Sequence, residues 1–265
     1  MYYDAIEDIE SQLPGVNDTY DPEYTLIYTI NSITDANQFC NTYNHNNRYN
    51  GLKLGQRIQI NDGTYNIAWY IAGVDCESNC LAADGSTFDN GYGICLIPET
   101  DVGESAWMND ITSSTINYSY EKSDIHNNIL PQVSNKLLQV LGSHLINRNV
   151  LLGNNIGTNG YSNSYIWVKS YAEIMSGYQI TGNAARYFNK YDDGEGNYEL
   201  PIYKFVDYWR LFKVDTYDSK GAWIRGVSQF AYAYYVTYAP YNDYIYGLEL
   251  VKKYTARIVP MIYIR

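Results

Sequence analysis

The sequence predicts an α+β fold, and three stretches carry that prediction. The run from Gly221 to Arg265 packs β-branched and aromatic residues between Gly, Pro, Asn and Asp gaps. It reads as four strands, 222–227, 230–238, 244–250 and 256–264, with a Pro240-Tyr241-Asn242-Asp243 turn, the composition of an antiparallel meander. Val133, Leu137, Leu138, Val140 and Leu141 recur near a 3.6-residue period up to Gly142, marking the best helix of the chain. Asn61-Asp62-Gly63 between strand-like runs 56–61 and 64–74 gives the strongest local hairpin signal.

Taken in order, residues 1 to about 23 are acidic around a Leu13-Pro14-Gly15 break. Ile6, Ile9 and Leu13 have helical spacing over too few turns to fold alone, so this segment reads as an arm, either solvated or docked. Residues 24–30 have strand character, and Ser32 or Thr34 can cap a short helix over 35–43. The polar stretch 41–50, which includes His45, reads as a loop into the main domain. The expected division is therefore 1–50, an N-terminal arm for anchoring and oligomerisation, and 51–265, the main domain.

After the hairpin come a Gly- and Asp-rich loop, a strand at 93–97 and an irregular stretch, 101–120, anchored by Trp107. Ser123 caps a helical segment interrupted by Pro131 that leads into the main helix. Short strands follow at 149–152 and 164–168, then a brief helix from Ser170 to Ser176. A long polar loop spans 184–199, and 203–212 is dense in aromatics. There is no internal repeat and no heptad pattern.

At 265 residues the chain can bury a core without metals or disulfides. Its formal charge of -11 argues against nucleic acid or an anionic membrane as the main partner. No apolar run approaches the ~18 residues of a membrane-spanning helix, and the acidic start does not resemble a secretory signal. Synthesis and folding in a cytoplasm are expected. The 31 Tyr are the compositional outlier. Most lie in strand-like runs, where sheet packing accounts for them, although the same ring serves interfaces and sugar stacking. The four cysteines, Cys40, Cys76, Cys80 and Cys95, are too few and too irregular for a disulfide scaffold, and mostly free thiols are expected.

No catalytic, cofactor-binding or metal-ligating residue is assigned. The sequence has no G-x-S-x-G elbow, P-loop, G-x-G-x-x-G or H-E-x-x-H. His45, His126 and His144 are scattered without ligand spacing. Cys76 and Cys80 form a lone C-x-x-x-C, weak evidence for zinc or a cross-link. Asp192-Asp193-Gly194-Glu195-Gly196-Asn197 is the one plausible calcium loop. Its alternation is broken by the two glycines and no Glu closes it, so a solvated turn is the better reading. Trp223-Ile224-Arg225-Gly226 with Arg257 downstream reads as a structural arginine pattern, with ligand binding as the sharper alternative.

These last residues also carry a resemblance. Trp223-Ile224-Arg225-Gly226, the strand through Ala231 to Val236, and Ala256-Arg257-Ile258-Val259-Pro260 look like the W-L-R-S/G … G-V-R-P ending of uncharacterised domains common in tailed phages and prophages of gut bacteria. The likeness extends through residues 89–95, Trp107, 145–152 and 187–201, covering roughly 52–265. Ala256 departs where the family often has Gly or Val, and Gly226 where Ser is common. The family is similar in outline to C-type-lectin-like folds, with a small twisted antiparallel sheet and two helices beneath long loops. That implies a display scaffold and not sugar binding as such, because the Glu-Pro-Asn or Gln-Pro-Asp calcium triplet of sugar-binding lectins is absent and Trp107-Met108-Asn109-Asp110 is only superficially lectin-like.

The resemblance implies a non-enzymatic structural protein of a tailed-phage particle, a head fibre or capsid decoration protein located in the virion. Its expected partners are other virion proteins and further copies of itself in a homo-oligomer. The alternative is a receptor- or glycan-binding adhesin at a tail or fibre tip that takes host or mucus glycans. A polysaccharide-cleaving enzyme would need two facing carboxylates, and no spacing selects a pair.

Overall fold

A computed structural model describes residues 15–76, 80–81, 88–89, 92–102, 123–152, 160–168, 200–206, 222–227, 232–236, 249–250 and 257–265. The protein is mixed α+β, with a central sheet and a few helices. Its strands are β1 (Leu26–Ile30), β2 (Arg57–Asn61), β3 (Asn66–Val74), β4 (Cys80–Leu81), β5 (Phe88–Asp89), β6 (Ile94–Pro98), β7 (Arg148–Leu152), β8 (Gly160–Ser164), β9 (Ile166–Val168), β10 (Ala222–Val227), β11 (Tyr232–Val236), β12 (Glu249–Leu250) and β13 (Pro260–Ile264). Among the described residues the α-helices are α1 (Ile33–Thr42) and α2 (Leu130–Leu141).

The central sheet has six strands in the order β1, β2, β3, β6, β13, β9. β2 and β3 form the expected hairpin, with Ile58 and Ile60 buried on the core face of β2 while Arg57, Gln59 and Asn61 point the other way. The side chain of Asp62 closes the turn, its Oδ1 accepting from the backbone N–H groups of Thr64 and Tyr65 at 2.8 and 2.7 Å. β6 and β13 are buried along their whole length, as continuously apolar central strands covered on both faces must be.

Two expectations are corrected here. The sheet is not wholly antiparallel, because β1 pairs parallel to β2 and α1 supplies the crossover that parallel neighbours require. Nor do the last four strands form one meander. β10, β11 and β12 make their own three-stranded antiparallel sheet, whereas β13 leaves them and inserts between β6 and β9. Met-Ile-Tyr-Ile in β13 is apolar on both faces, so its preferred place is a sheet interior.

The expected division at residue 50 does not follow a gap in the core. Val16, Ile30, Ala36, Phe39, Cys40 and Tyr49 belong to the same buried cluster as β3, β6, α2 and β13. Ser32 caps α1 as predicted, its Oγ accepting from the Asp35 N–H at 3.3 Å, while the Asp35 carboxylate accepts from the Asn31 N–H and the Ser32 hydroxyl, each at 2.9 Å. α2 buries Leu130, Val133, Leu137, Val140 and Leu141. Pro131 does not interrupt it. A π-turn over Ile125–Ile129 lets the Leu130 N–H reach the Ile125 carbonyl, and the proline, lacking a donor, falls in the first turn of α2 where none is needed.

A third sheet pairs its strands in the order β5, β4, β7, β8. The calcium-loop candidate Asp192–Asn197, the helix expected at 170–176 and Trp107 lie outside the described residues.

Candidate functional site

The densest polar constellation on the described surface lies where β3 ends and β6 begins. The end of β3 is fixed by Asn17, whose side-chain amide pairs with the Val74 backbone in both directions, donating to the carbonyl at 2.8 Å and accepting from the N–H at 2.9 Å. The next residue, Asp75, adopts φ 50°, a left-handed conformation that Asp tolerates better than most residues. Its carboxylate then turns to meet three donors. Oδ1 accepts from the Gly93 N–H at 2.9 Å and from the Tyr49 hydroxyl, and Oδ2 faces Nδ1 of His45 at 2.6 Å. The Asp75 N–H in turn donates to the Gly93 carbonyl at 2.8 Å.

Gly93 has no substitute at this crossing. A Cβ there would stand 2.7 Å from the Ile264 carbonyl oxygen of β13. The tight approach of the 92–93 segment to the last strand and its clamp to Asp75 therefore share one small residue.

His45 and Tyr49 arrive from the connection between α1 and β2. Asn44 and Asn47 form a reciprocal cap, each side-chain oxygen accepting from the other's backbone N–H at 3.0 and 3.2 Å. Arg48, Tyr49, Asn50 and Gly51 then all take positive φ, at 51°, 59°, 47° and 73°. Asn and Gly adopt this conformation readily, but Arg48 and Tyr49 each carry a penalty of roughly 1–2 kcal/mol. The left-handed turn brings the Tyr49 ring into the core, with 3% of its surface exposed, and its hydroxyl onto Asp75. Burial first, and then the adjacent Asp75 carboxylate, hold the Tyr49 phenol protonated far above the usual tyrosine range.

His45 lies outside that buried pair. Its imidazole stacks on Tyr92, ring centroids 3.7 Å apart and planes 18° from parallel, and Tyr92 keeps 47% of its surface exposed. Because Nδ1 faces a carboxylate oxygen, the proton is assigned to Nδ1, which leaves Nε2 directed away from Asp75. The pair has the form of a base and its orienting acid. Among the described residues, no hydroxyl or thiol is hydrogen-bonded to Nε2, so the arrangement positions an imidazole and an aromatic face and activates no described nucleophile.

A second cluster braces β2 against the end of β6. Arg57 donates from Nη1 to both Glu99 carboxylate oxygens at 3.0 and 3.1 Å and from Nε to the Tyr24 carbonyl at 2.6 Å. Tyr24 packs edge-on against Tyr70 and its hydroxyl is bonded to that of Tyr20, whose ring stacks on the exposed Phe205. Burial raises the Tyr20 and Tyr70 phenols well above their ordinary values, helped by the Tyr24 hydroxyl in the first case and by Glu99 in the second.

The residues singled out from the sequence separate into different roles. His144 is structural, Nδ1 meeting the Arg265 carbonyl oxygen and Nε2 facing the Asn37 side-chain oxygen at 2.7 Å, so it ties α1 to the end of β13. His126 lies in the π-turn, its N–H on Ser123 Oγ at 3.1 Å. Cys40 and Cys76 are free thiols, and burial pushes the Cys40 thiol up to about 12. Trp223 to Gly226 lie within β10, and Arg257 is half-buried just before β13. No group of three potential metal ligands converges among the described residues. The Asp75 constellation was missed from sequence because its parts are 26 and 30 residues apart in no known spacing, and the one local hint was the Asn-Gly at 50–51.

Comparison of the chain with protein-family models, curated proteins and solved structures gives no match.

Proposed function

We propose that the chain is a non-enzymatic structural protein of a tailed-phage particle, a head fibre or capsid decoration protein that displays a C-type-lectin-like domain. The observation that carries this reading is the resemblance borne by Trp223-Ile224-Arg225-Gly226 and Ala256 to Pro260. The first of these segments lies on a strand and the second leads into one. A single core running from Val16 to Ile264 suits a rigid display unit. Its partners are other virion proteins and further copies of the same chain, since weak single contacts gain strength when several copies engage together. Mass spectrometry of purified particles tests the reading. The chain is expected at a constant ratio to the major capsid protein, and its absence from intact particles would reject the proposal.

A second reading, a glycan-binding adhesin at a tail or fibre tip, is favoured by one specific observation. An exposed aromatic ring, Tyr92, is held in place by a strained and hydrogen-bonded support, and strain of this kind clusters at ligand-binding positions. Its test is binding of the purified chain to host cells or arrayed glycans.

A further inference from the structure

Tyr92 is exposed without being loose, and the support beneath it is layered. One face lies on His45, His45 is held by Asp75, and Asp75 is held by Tyr49 and by the backbone of Gly93, the residue next to Tyr92. The chain of contacts therefore closes on itself around a single surface ring. Three consecutive non-glycine residues in left-handed conformation, Arg48, Tyr49 and Asn50, and a fourth at Asp75 are maintained to build it. A surface tyrosine serving only as cover would need none of this. With His45 against one face and 47% of the residue still exposed, the surface that Tyr92 offers to solvent lies away from His45.

We propose that this open face of Tyr92 is a docking platform for one neutral hexopyranose unit of a glycan, with His45 acting as a positioning residue that holds the ring from behind. This deepens the adhesin reading and rests on it. Three features choose the ligand class. A flat, open aromatic face backed by a second ring suits the flat C–H face of a pyranose, and the phenol hydroxyl supplies a polar edge for a sugar hydroxyl. Quaternary ammonium groups are held by cages of several aromatic faces, whereas among the described residues one open face is present here, and the Asp75 carboxylate is already occupied by three donors. The formal charge of -11 disfavours sialylated or uronic-acid glycans and nucleic-acid bases on their phosphate backbone.

The experiment applies the full-length chain to an array of neutral, sialylated and uronic-acid glycans, with choline-bearing conjugates alongside, and repeats the hits by saturation-transfer NMR. Wild type is compared with Tyr92→Ala, Tyr92→Phe, His45→Ala and Phe205→Ala. Because Tyr92 and Phe205 are exposed, their variants are expected to melt with the wild type, which a thermal scan confirms. Binding to a neutral hexose glycan that falls at least ~tenfold in Tyr92→Ala, falls less in His45→Ala and persists in Tyr92→Phe and Phe205→Ala supports the proposal. Undiminished glycan binding by Tyr92→Ala overturns this site and leaves the adhesin reading standing. Binding through Tyr92 of acidic glycans or choline alone overturns the ligand class. If the wild type binds no glycan, the adhesin reading falls and this inference falls with it.

Discussion

Replacing Asp75 by alanine should remove the keystone of the surface constellation, and the cost can be assembled from its partners. The Tyr49 hydroxyl is buried and would lose its acceptor, a loss of about 1–3 kcal/mol, and the buried Gly93 N–H would lose its own at a similar cost. His45 is half exposed and can turn to water, so losing its hydrogen bond to Asp75 adds at most about 1 kcal/mol. Alanine also tolerates φ 50° less well than aspartate, adding up to about 1 kcal/mol. The sum centres on about 5 kcal/mol, which lowers the melting temperature of a chain of this size by roughly 10–20 °C. Asp75→Asn keeps both the left-handed tolerance and one acceptor oxygen, so it should lose about half as much. Urea and thermal unfolding followed by circular dichroism measure both variants, and amide exchange at Gly93 reports the lost bond directly. If Asp75→Ala unfolds within about 0.5 kcal/mol of wild type, as an ordinary surface change does, the claim that the carboxylate secures the turn is wrong.

Breaking the Arg57–Glu99 pair from one side, as Glu99→Ala, should destabilise by about 3 kcal/mol, since Glu99 is 6% exposed and the stranded guanidinium is only partly wet. The double variant Arg57→Met/Glu99→Leu should recover much of that loss, and a denaturant double-mutant cycle decides. At alkaline pH, Tyr20, Tyr49 and Tyr70 hold their protons more tightly folded than unfolded. Their contribution is full below about pH 10, the ordinary phenol value, and is lost as pH rises through their elevated folded values, so the urea midpoint should fall between pH 9 and pH 11 by more than in a Tyr70→Phe variant. At the acid end, burial alone would raise the Asp21 carboxyl. Hydrogen bonds from Thr25 and Glu23 and the charge of Lys53 outweigh it, while Asn31 and Ser32 lower Asp35. Both therefore stabilise above about pH 4 and lose that contribution as pH falls through their depressed folded values, so an Asp21→Asn variant should show a shallower acid transition. Gly93→Ala should destabilise strongly through the contact with the Ile264 carbonyl oxygen, and failure of a thermal scan to register it would contradict the packing described.

The elements legible in the sequence are those that announce themselves locally. Ser32 and Asp35 mark the start of α1, Asn61-Asp62-Gly63 marks the hairpin, and the 3.6-residue recurrence of Val133, Leu137 and Val140 marks α2. Pairing partners left no such trace. Nothing in Leu26 to Ile30 says that its neighbour is Arg57 to Asn61 in parallel, and the apolar run at 260–264 reads equally well beside β12 or beside β6. The candidate site follows the same division. His45 is visible as a loop histidine, but its role exists only once β3 and the left-handed turn bring Asp75 and Tyr49 to it.

The seat of β13 has a consequence for how the molecule is made. Until residues 260–264 emerge from the ribosome, β6 has an unsatisfied flank and β9 has no central neighbour, so the sheet waits as an incomplete template. Closure then joins segments far apart in the sequence, an entropically slow step. Nascent copies held side by side in that interval could capture one another's final strand, and shielding of that vacancy would govern the yield of correctly folded protein.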